Sequence, residues 1–277
     1  MKRLLTALLM LMATLPAFSQ EKTAILMVHF GTSYDDTRAV TIDAVNATVR
    51  AAFPGVEVRE AWTSRMIVKK LAARGVERLL PVDALLKLRA DGYQRIIVQS
   101  TTLLEGAEMA SLRRDVASVA PFFKEILVGE PLLASVEDCA AVAQVMIQRH
   151  GLRTDARKKA HLVLVGHGTH APNNATYSQM EHLLQRQGSP LFHVSTIEGY
   201  PTLETLTADL KVAKARKVTL VPFLLVAGDH ANNDISVEWK AALEAAGMQV
   251  DIVLEGLGQV PEVRNLYVEH IHKAQGK

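Results

Sequence analysis

Two segments of this chain match each other without a gap: Ala24-Ile-Leu-Met-Val-His-Phe-Gly-Thr-Ser33 and His161-Leu-Val-Leu-Val-Gly-His-Gly-Thr-His170. Each is an apolar run that ends in a small-residue turn. A second ungapped match, in the same order, pairs Ile96-Ile-Val98 and Leu103-Leu-Glu-Gly-Ala-Glu108 with Val218-Thr-Leu220 and Leu225-Val-Ala-Gly-Asp-His230. Two matches in one order point to internal duplication, so the chain is expected to fold as two similar halves, 22–150 and 160–277, joined by the polar segment 151–159, with a cleft between them. In the second match Glu108 occupies the place of His230.

Within each half the pattern alternates. Apolar β-type runs at 24–28, 56–61, 95–99, 126–128, 161–165, 192–197, 218–225 and 250–254 are separated by helical stretches at 36–52, 82–90, 135–150, 174–187, 202–215 and 235–246. Gly92, Gly151, Gly188 and Gly247 stand where helices should stop. Strands that alternate with helices make a parallel sheet. The fold class expected is therefore α/β, with two Rossmann-like halves, each a parallel sheet flanked by helices.

The chain opens with Met1-Lys2-Arg3, an apolar run from Leu4 to Leu15 and then Pro16-Ala17-Phe18-Ser19. That is the plan of a secretory signal peptide, residues 1–19, cleaved before Gln20 to leave a periplasmic protein. No cysteine near the cleavage point is available to take a lipid, and no later stretch approaches the roughly 20 apolar residues a membrane span needs. Cys139 is the only cysteine, so an oxidising compartment can build no intramolecular disulfide. Its Ala/Val-rich surroundings suggest a buried, inert thiol. The 31 basic and 29 acidic residues nearly cancel to a net charge of +2, which gives no argument for nucleic acid.

Three motifs carry candidate chemistry. Val165-Gly-His-Gly-Thr-His170 ends a strand, and ligands of open α/β sheets bind beyond the carboxyl ends of strands. The glycines flanking His167 leave its imidazole uncrowded. Leu224-Leu-Val-Ala-Gly-Asp-His-Ala-Asn-Asn-Asp234 brings His230 to another strand end, with Asp229 and Asp234 available to orient it or to cap the next helix. Ile197-Glu-Gly-Tyr-Pro201 closes a third run with Glu198. Two imidazoles and a carboxylate at one edge suit a divalent transition metal with open positions. They do not by themselves separate hydrolysis from metal delivery, and the spacing offers no metalloprotease helix, serine elbow, phosphate loop or dinucleotide fingerprint.

In order, His167-Gly-Thr-His170 with Asn174 and Tyr177 after it, Glu198-Gly-Tyr-Pro201 and Ala227-Gly-Asp-His-Ala-x-Asn-Asp234 resemble the anaerobic cobalt chelatases. These are the sirohydrochlorin cobaltochelatases, related to the class II tetrapyrrole chelatases. The resemblance spans essentially the mature chain, including His29-Phe-Gly-Thr-Ser33, Thr101-Thr102 and Glu108. It implies the following. The activity is insertion of Co²⁺ into sirohydrochlorin with release of two protons. His167, Glu198 and His230 handle the metal, and Glu108 faces the same cleft. Apart from the resemblance, the helix start after Thr169 is a candidate for binding the carboxylates of the pigment, and His29, one position before the repeat counterpart of His167, is a candidate cleft residue. No organic cofactor is expected, and a homo-oligomer is. Fe²⁺, Ni²⁺ or Zn²⁺ suit the same donors. The signal peptide departs from the cytoplasmic habit of such enzymes.

Competing readings are iron insertion, giving sirohaem or haem, a periplasmic haem- or metal-binding carrier on the same fold, and a zinc hydrolase. Among other residues, His270 and His272 are expected to be solvated on a C-terminal helix. His150, His161 and His182 are expected to be surface or strand-end residues, and Trp62 and Trp239 to be core.

Overall fold

The computed structural model describes residues 21–276; the signal peptide expected over 1–19 lies outside the described residues. Two four-stranded sheets, all parallel, form the frame. Strands β1 (Thr23–His29), β2 (Glu57–Trp62), β3 (Arg95–Ser100) and β4 (Glu125–Val128) lie in the order β2-β1-β3-β4. Strands β5 (Ala160–Gly166), β6 (Phe192–Thr196), β7 (Lys217–Pro222) and β8 (Gln249–Ile252) repeat it as β6-β5-β7-β8. The duplication read from sequence is thus a duplication of topology. β1 and β5 are central strands, paired on both sides, which is why their residues are apolar without alternation.

The helices are α1 (Asp35–Val40), α2 (Ile42–Ala52), α3 (Arg65–Ala72), α4 (Pro81–Ala90), α5 (Ala107–Val119), α6 (Val136–His150), α7 (Ala175–Gln187) and α8 (Leu203–Val212). A π-helix, Ala231–Trp239, runs straight into α9 (Lys240–Ala245), and α10 (Pro261–Ala274) ends the chain. One helix expected over 36–52 is broken at Thr41, whose backbone leaves the helical region and whose side chain is approached by Gly258. The helix expected over 235–246 starts earlier and begins as π-helix, with Ser236 Oγ donating to the Ala231 carbonyl at 2.6 Å. α3 and α5 have no counterpart among the expected helices.

The two ends of the repeat are exchanged. α6, which follows the first sheet in sequence, buries Cys139, Val142 and Met146 in one continuous core with Leu162, Leu164, Met180 and Phe192 of the second half. α10, which follows the second sheet, returns to the first: Arg264 Nε donates to Thr48 Oγ1 at 3.0 Å and Tyr267 OH to the Thr101 carbonyl at 3.0 Å. The outer faces of the sheets have separate cores, one under α4 and α5, the other under α8, the π-helix and α9.

Several histidines expected at the surface are inside. His270 is 2% exposed, its Nδ1 3.1 Å from the Glu130 carbonyl and its Nε2 3.2 Å from Asp138 Oδ1. The reason is the return of α10: a helix packed between elements of the first half has no solvated face at that position. His150 is buried as well; His161 does stand at a strand end, second in β5, and is buried there, and burial lowers the pKa of both to about 4, with His193 adding to the effect at His161. Trp62 and Trp239 are core residues, as expected. Among the described residues no helix is long and apolar enough to cross a membrane.

Candidate active site

His167 is the first residue beyond β5. Gly168 after it has φ +84°, a conformation that favours glycine, and a Cβ there would lie 2.5 Å from the Gly199 backbone nitrogen. That contact is how two loops lock together. Ile197 N–H donates to the Gly166 carbonyl at 3.0 Å and Glu198 N–H to that of His167 at 2.7 Å. Asn174 stitches the other side, accepting from Thr169 N–H at 2.9 Å and donating to the Tyr200 carbonyl at 2.5 Å. Tyr177, nearly buried, receives Gly168 N–H on its hydroxyl at 3.3 Å. Thr169 is used in the loop itself, its hydroxyl accepting from Ala171 N–H at 3.2 Å.

His230 stands where the chain after β7 turns into the π-helix, and its ring meets that of His167 edge to face with centroids 4.8 Å apart. π-helical turns recur at functional sites because they re-aim side chains. Here the turn carries Asp234, whose Oδ2 lies 2.6 Å from His230 Nδ1. A carboxylate only accepts, so His230 holds its proton on Nδ1 and its Nε2 lone pair is free. The same reasoning applies to His167, whose Nδ1 lies 3.0 Å from the Gly168 carbonyl. Both imidazoles therefore offer Nε2 as ligand or base. Asp229, the other candidate for orienting His230, is committed elsewhere: it accepts from Tyr34 OH at 2.7 Å and from Asn233 Nδ2 at 3.2 Å.

Glu198 Oε2 is 4.0 Å from His167 Nδ1, beyond hydrogen-bond reach, and the side chain is open to solvent. The expected trio is therefore assembled at one edge without being closed around a point. Among the described residues no three histidine, cysteine or acidic side chains form a ready-made metal cage. Glu108, on the first turn of α5, joins the site electrostatically. The protein mass around it holds its carboxyl above the ordinary range, and nearby His167 partly offsets this. Water reaches the side chain, so the raised value reflects a place inside a cleft and not in a core.

His29 is the correction. It is 1% exposed, with Nδ1 3.0 Å from Thr101 Oγ1 and Nε2 3.0 Å from Asn46 Oδ1. Burial lowers its pKa against the opposing pull of Glu60. With both nitrogens taken beneath the sheet edge, it does not line the cleft. As the last residue of β1 its side chain turns inward, and the next residue turns outward. Sequence reasoning also missed the two contacts that join the halves across the cleft: Tyr34 to Asp229, and Asn173 Nδ2 to the Glu105 carbonyl at 2.9 Å.

The geometry agrees with what the chain is similar to. Over 258 residues it is 36% identical to the sirohydrochlorin cobaltochelatase of Salmonella typhimurium, covering 91% of this chain and 96% of that protein. It is 30% identical over 259 residues to the sirohydrochlorin cobaltochelatase CbiKC of Nitratidesulfovibrio vulgaris, covering 91% and 90%. In fold it resembles SirB from Bacillus subtilis, solved with Fe³⁺, with a TM-score of 0.65 at 18% identity over 91% of this chain and 95% of that one. The family model for cobalt chelatase (CbiK) matches residues 23–276, both sheets and both histidine corners included, and the chain therefore belongs to the CbiK cobalt chelatase family.

Proposed function

We propose that this protein is a sirohydrochlorin cobaltochelatase, inserting Co²⁺ into sirohydrochlorin. The observation that carries the reading is the facing pair His167 and His230, each with Nδ1 engaged and Nε2 free. Insertion asks two things of a protein: a metal ion must shed its water and enter the ring, and two pyrrole N–H groups must lose protons. Neutral imidazole serves either need. Glu108 and Glu198 supply negative charge on two sides of the pair, compensating the divalent ion. An open arrangement suits a metal that must leave the protein for the macrocycle, whereas a closed cage would retain it.

The test is direct. Purified mature protein mixed with sirohydrochlorin and Co²⁺ should convert the pigment's absorption spectrum faster than metal and pigment alone; a rate equal to that blank removes the enzyme reading. His167→Ala and His230→Ala should each lose most of the rate. Stoichiometric pigment binding without turnover would instead favour the carrier. Fe²⁺, Ni²⁺ and Zn²⁺ belong in the same series, because imidazole and carboxylate do not choose strongly among them.

The reading extends to place and assembly: a periplasmic protein freed of residues 1–19, acting as a homo-oligomer without an organic cofactor. Cell fractionation with N-terminal sequencing tests the first, light scattering the second, and activity of cofactor-free protein the third.

A further inference from the structure

The repeat allows one wall of the cleft to be compared with the other. In the second half the chain leaves β5 at Gly166 and presents His167; in the first it leaves β1 at His29 and presents Phe30. The two corners are bonded alike. Thr63 N–H donates to the His29 carbonyl at 2.8 Å and Ser64 N–H to that of Phe30 at 3.2 Å, as Ile197 and Glu198 do to Gly166 and His167 at 3.0 and 2.7 Å. On the other flank Thr101 N–H reaches the Val28 carbonyl at 2.9 Å, and Phe223 N–H reaches that of Val165 at 2.7 Å. The following residue is in both cases a glycine of positive φ, +105° at Gly31 and +84° at Gly168. Phe30 is the structural counterpart of His167.

By the same correspondence Ser64 stands where Glu198 stands, and it is spent capping α3, accepting from Ile67 N–H at 3.4 Å. Glu108 stands where His230 stands. The first wall thus offers a phenyl ring and a carboxylate where the second offers imidazoles.

The ring is held out, not loosely exposed. Phe30 is 50% accessible, while its neighbours His29 and Gly31 are buried. A Cβ on Gly31 would fall 2.4 Å from the Trp62 ring, so the corner is clamped against a core side chain. Of the four exposed aromatic residues among those described, three (Phe30, Tyr34 at 40% and Tyr200 at 59%) stand on loops leaving the carboxyl ends of β1 and β6; Phe122 does not. A phenyl ring kept in water forgoes part of the free energy of its burial, and a rigid corner that keeps it there is matched to an apolar ligand face.

We propose that Phe30 is a specificity-determining residue, the platform against which one face of the conjugated macrocycle packs while the imidazoles of the opposite wall attend to the metal. The inference rests on the chelatase reading. A non-coordinating ring at this position also has a chemical advantage over the histidine its counterpart carries. It leaves that face of the newly inserted ion without a protein ligand, so the product is free to go.

Two variants test this with steady-state kinetics and equilibrium titration of the metal-free pigment. Phe30→Ala should raise KM and Kd for sirohydrochlorin about tenfold and leave KM for Co²⁺ unmoved, and Phe30→Trp should restore pigment affinity. Should Phe30→Ala melt at a lower temperature than the parent, Phe30→Leu and Phe30→Trp carry the comparison, Leu being weaker than Trp. Phe30→His should show one fast turnover per site followed by slow release of metallated product. Pigment affinity in Phe30→Ala within twofold of an active parent overturns the platform while leaving the chelatase reading intact. A parent that neither binds nor metallates sirohydrochlorin overturns the chelatase reading itself.

Discussion

His230 and Asp234 form a dyad: the carboxylate, one turn along the π-helix, sits 2.6 Å from Nδ1 and leaves Nε2 as the unengaged nitrogen. Carboxylate partners of metal-binding histidines usually contribute ten- to a hundredfold. Asp234→Asn should therefore slow cobalt insertion by about that factor without changing the melting temperature appreciably, as initial rates and thermal denaturation of the same preparation would show. An unchanged rate would make the dyad a helix feature only.

The loop pair around the site has no room for a methyl group. A Cβ on Gly199 would fall 2.3 Å from Asn174 Oδ1 and 2.9 Å from the Thr169 backbone nitrogen. Gly199→Ala should cost about 1–3 kcal/mol of stability, the range for overpacking, and should displace the loop that carries Glu198. Denaturant titration measures the first effect and the insertion rate the second.

Cys139 is buried in α6, and burial, with Asp138 beside it, pushes its thiol up to about 11. A thiol that is neutral and enclosed is a poor nucleophile. Under native conditions the protein should resist a disulfide reagent at pH 8 and react with one equivalent only when denaturant is added; rapid native labelling would contradict the burial described.

Stability should fall as the pH drops from 6.5 toward 4. His150 and His161 are held near 4 in the folded chain against 6.5 when unfolded, so in that window the unfolded state binds the additional protons and gains from each step down in pH. Their contribution is complete above 6.5 and gone below about 4. Melting curves across the window should slope downward toward acid, and the double variant His150→Gln, His161→Gln should be flatter. An equal slope would assign the effect to other groups.

Much of this was legible in the residues. The two sheets follow from apolar runs whose periodicity is local; the repeat covers the strand ends where His167 and His230 stand, and Glu198 is marked by its own motif at the close of a third run. What escaped was set by contacts distant in sequence. His29 looks like a cleft residue until Thr101 and Asn46 are seen to take both nitrogens. His270 looks solvated until α10 is seen to lie against the first half. The distinction between Asp229 and Asp234 depended on Tyr34, a residue of the other half, claiming Asp229. The π-helix has no periodicity signature strong enough to announce it, and the early start of that helix is what places Asp234 beneath His230.

The exchange of α6 and α10 has a consequence for cooperativity. Each helix carries its apolar face to a core built largely by the other half, and that core is continuous from Ile25 and Met27 of one sheet to Leu162 and Leu164 of the other. Neither half can lose its structure without stripping a helix from its partner. The chain should therefore melt in a single transition, and a cut between the repeats would yield fragments that each expose a face only the other can cover.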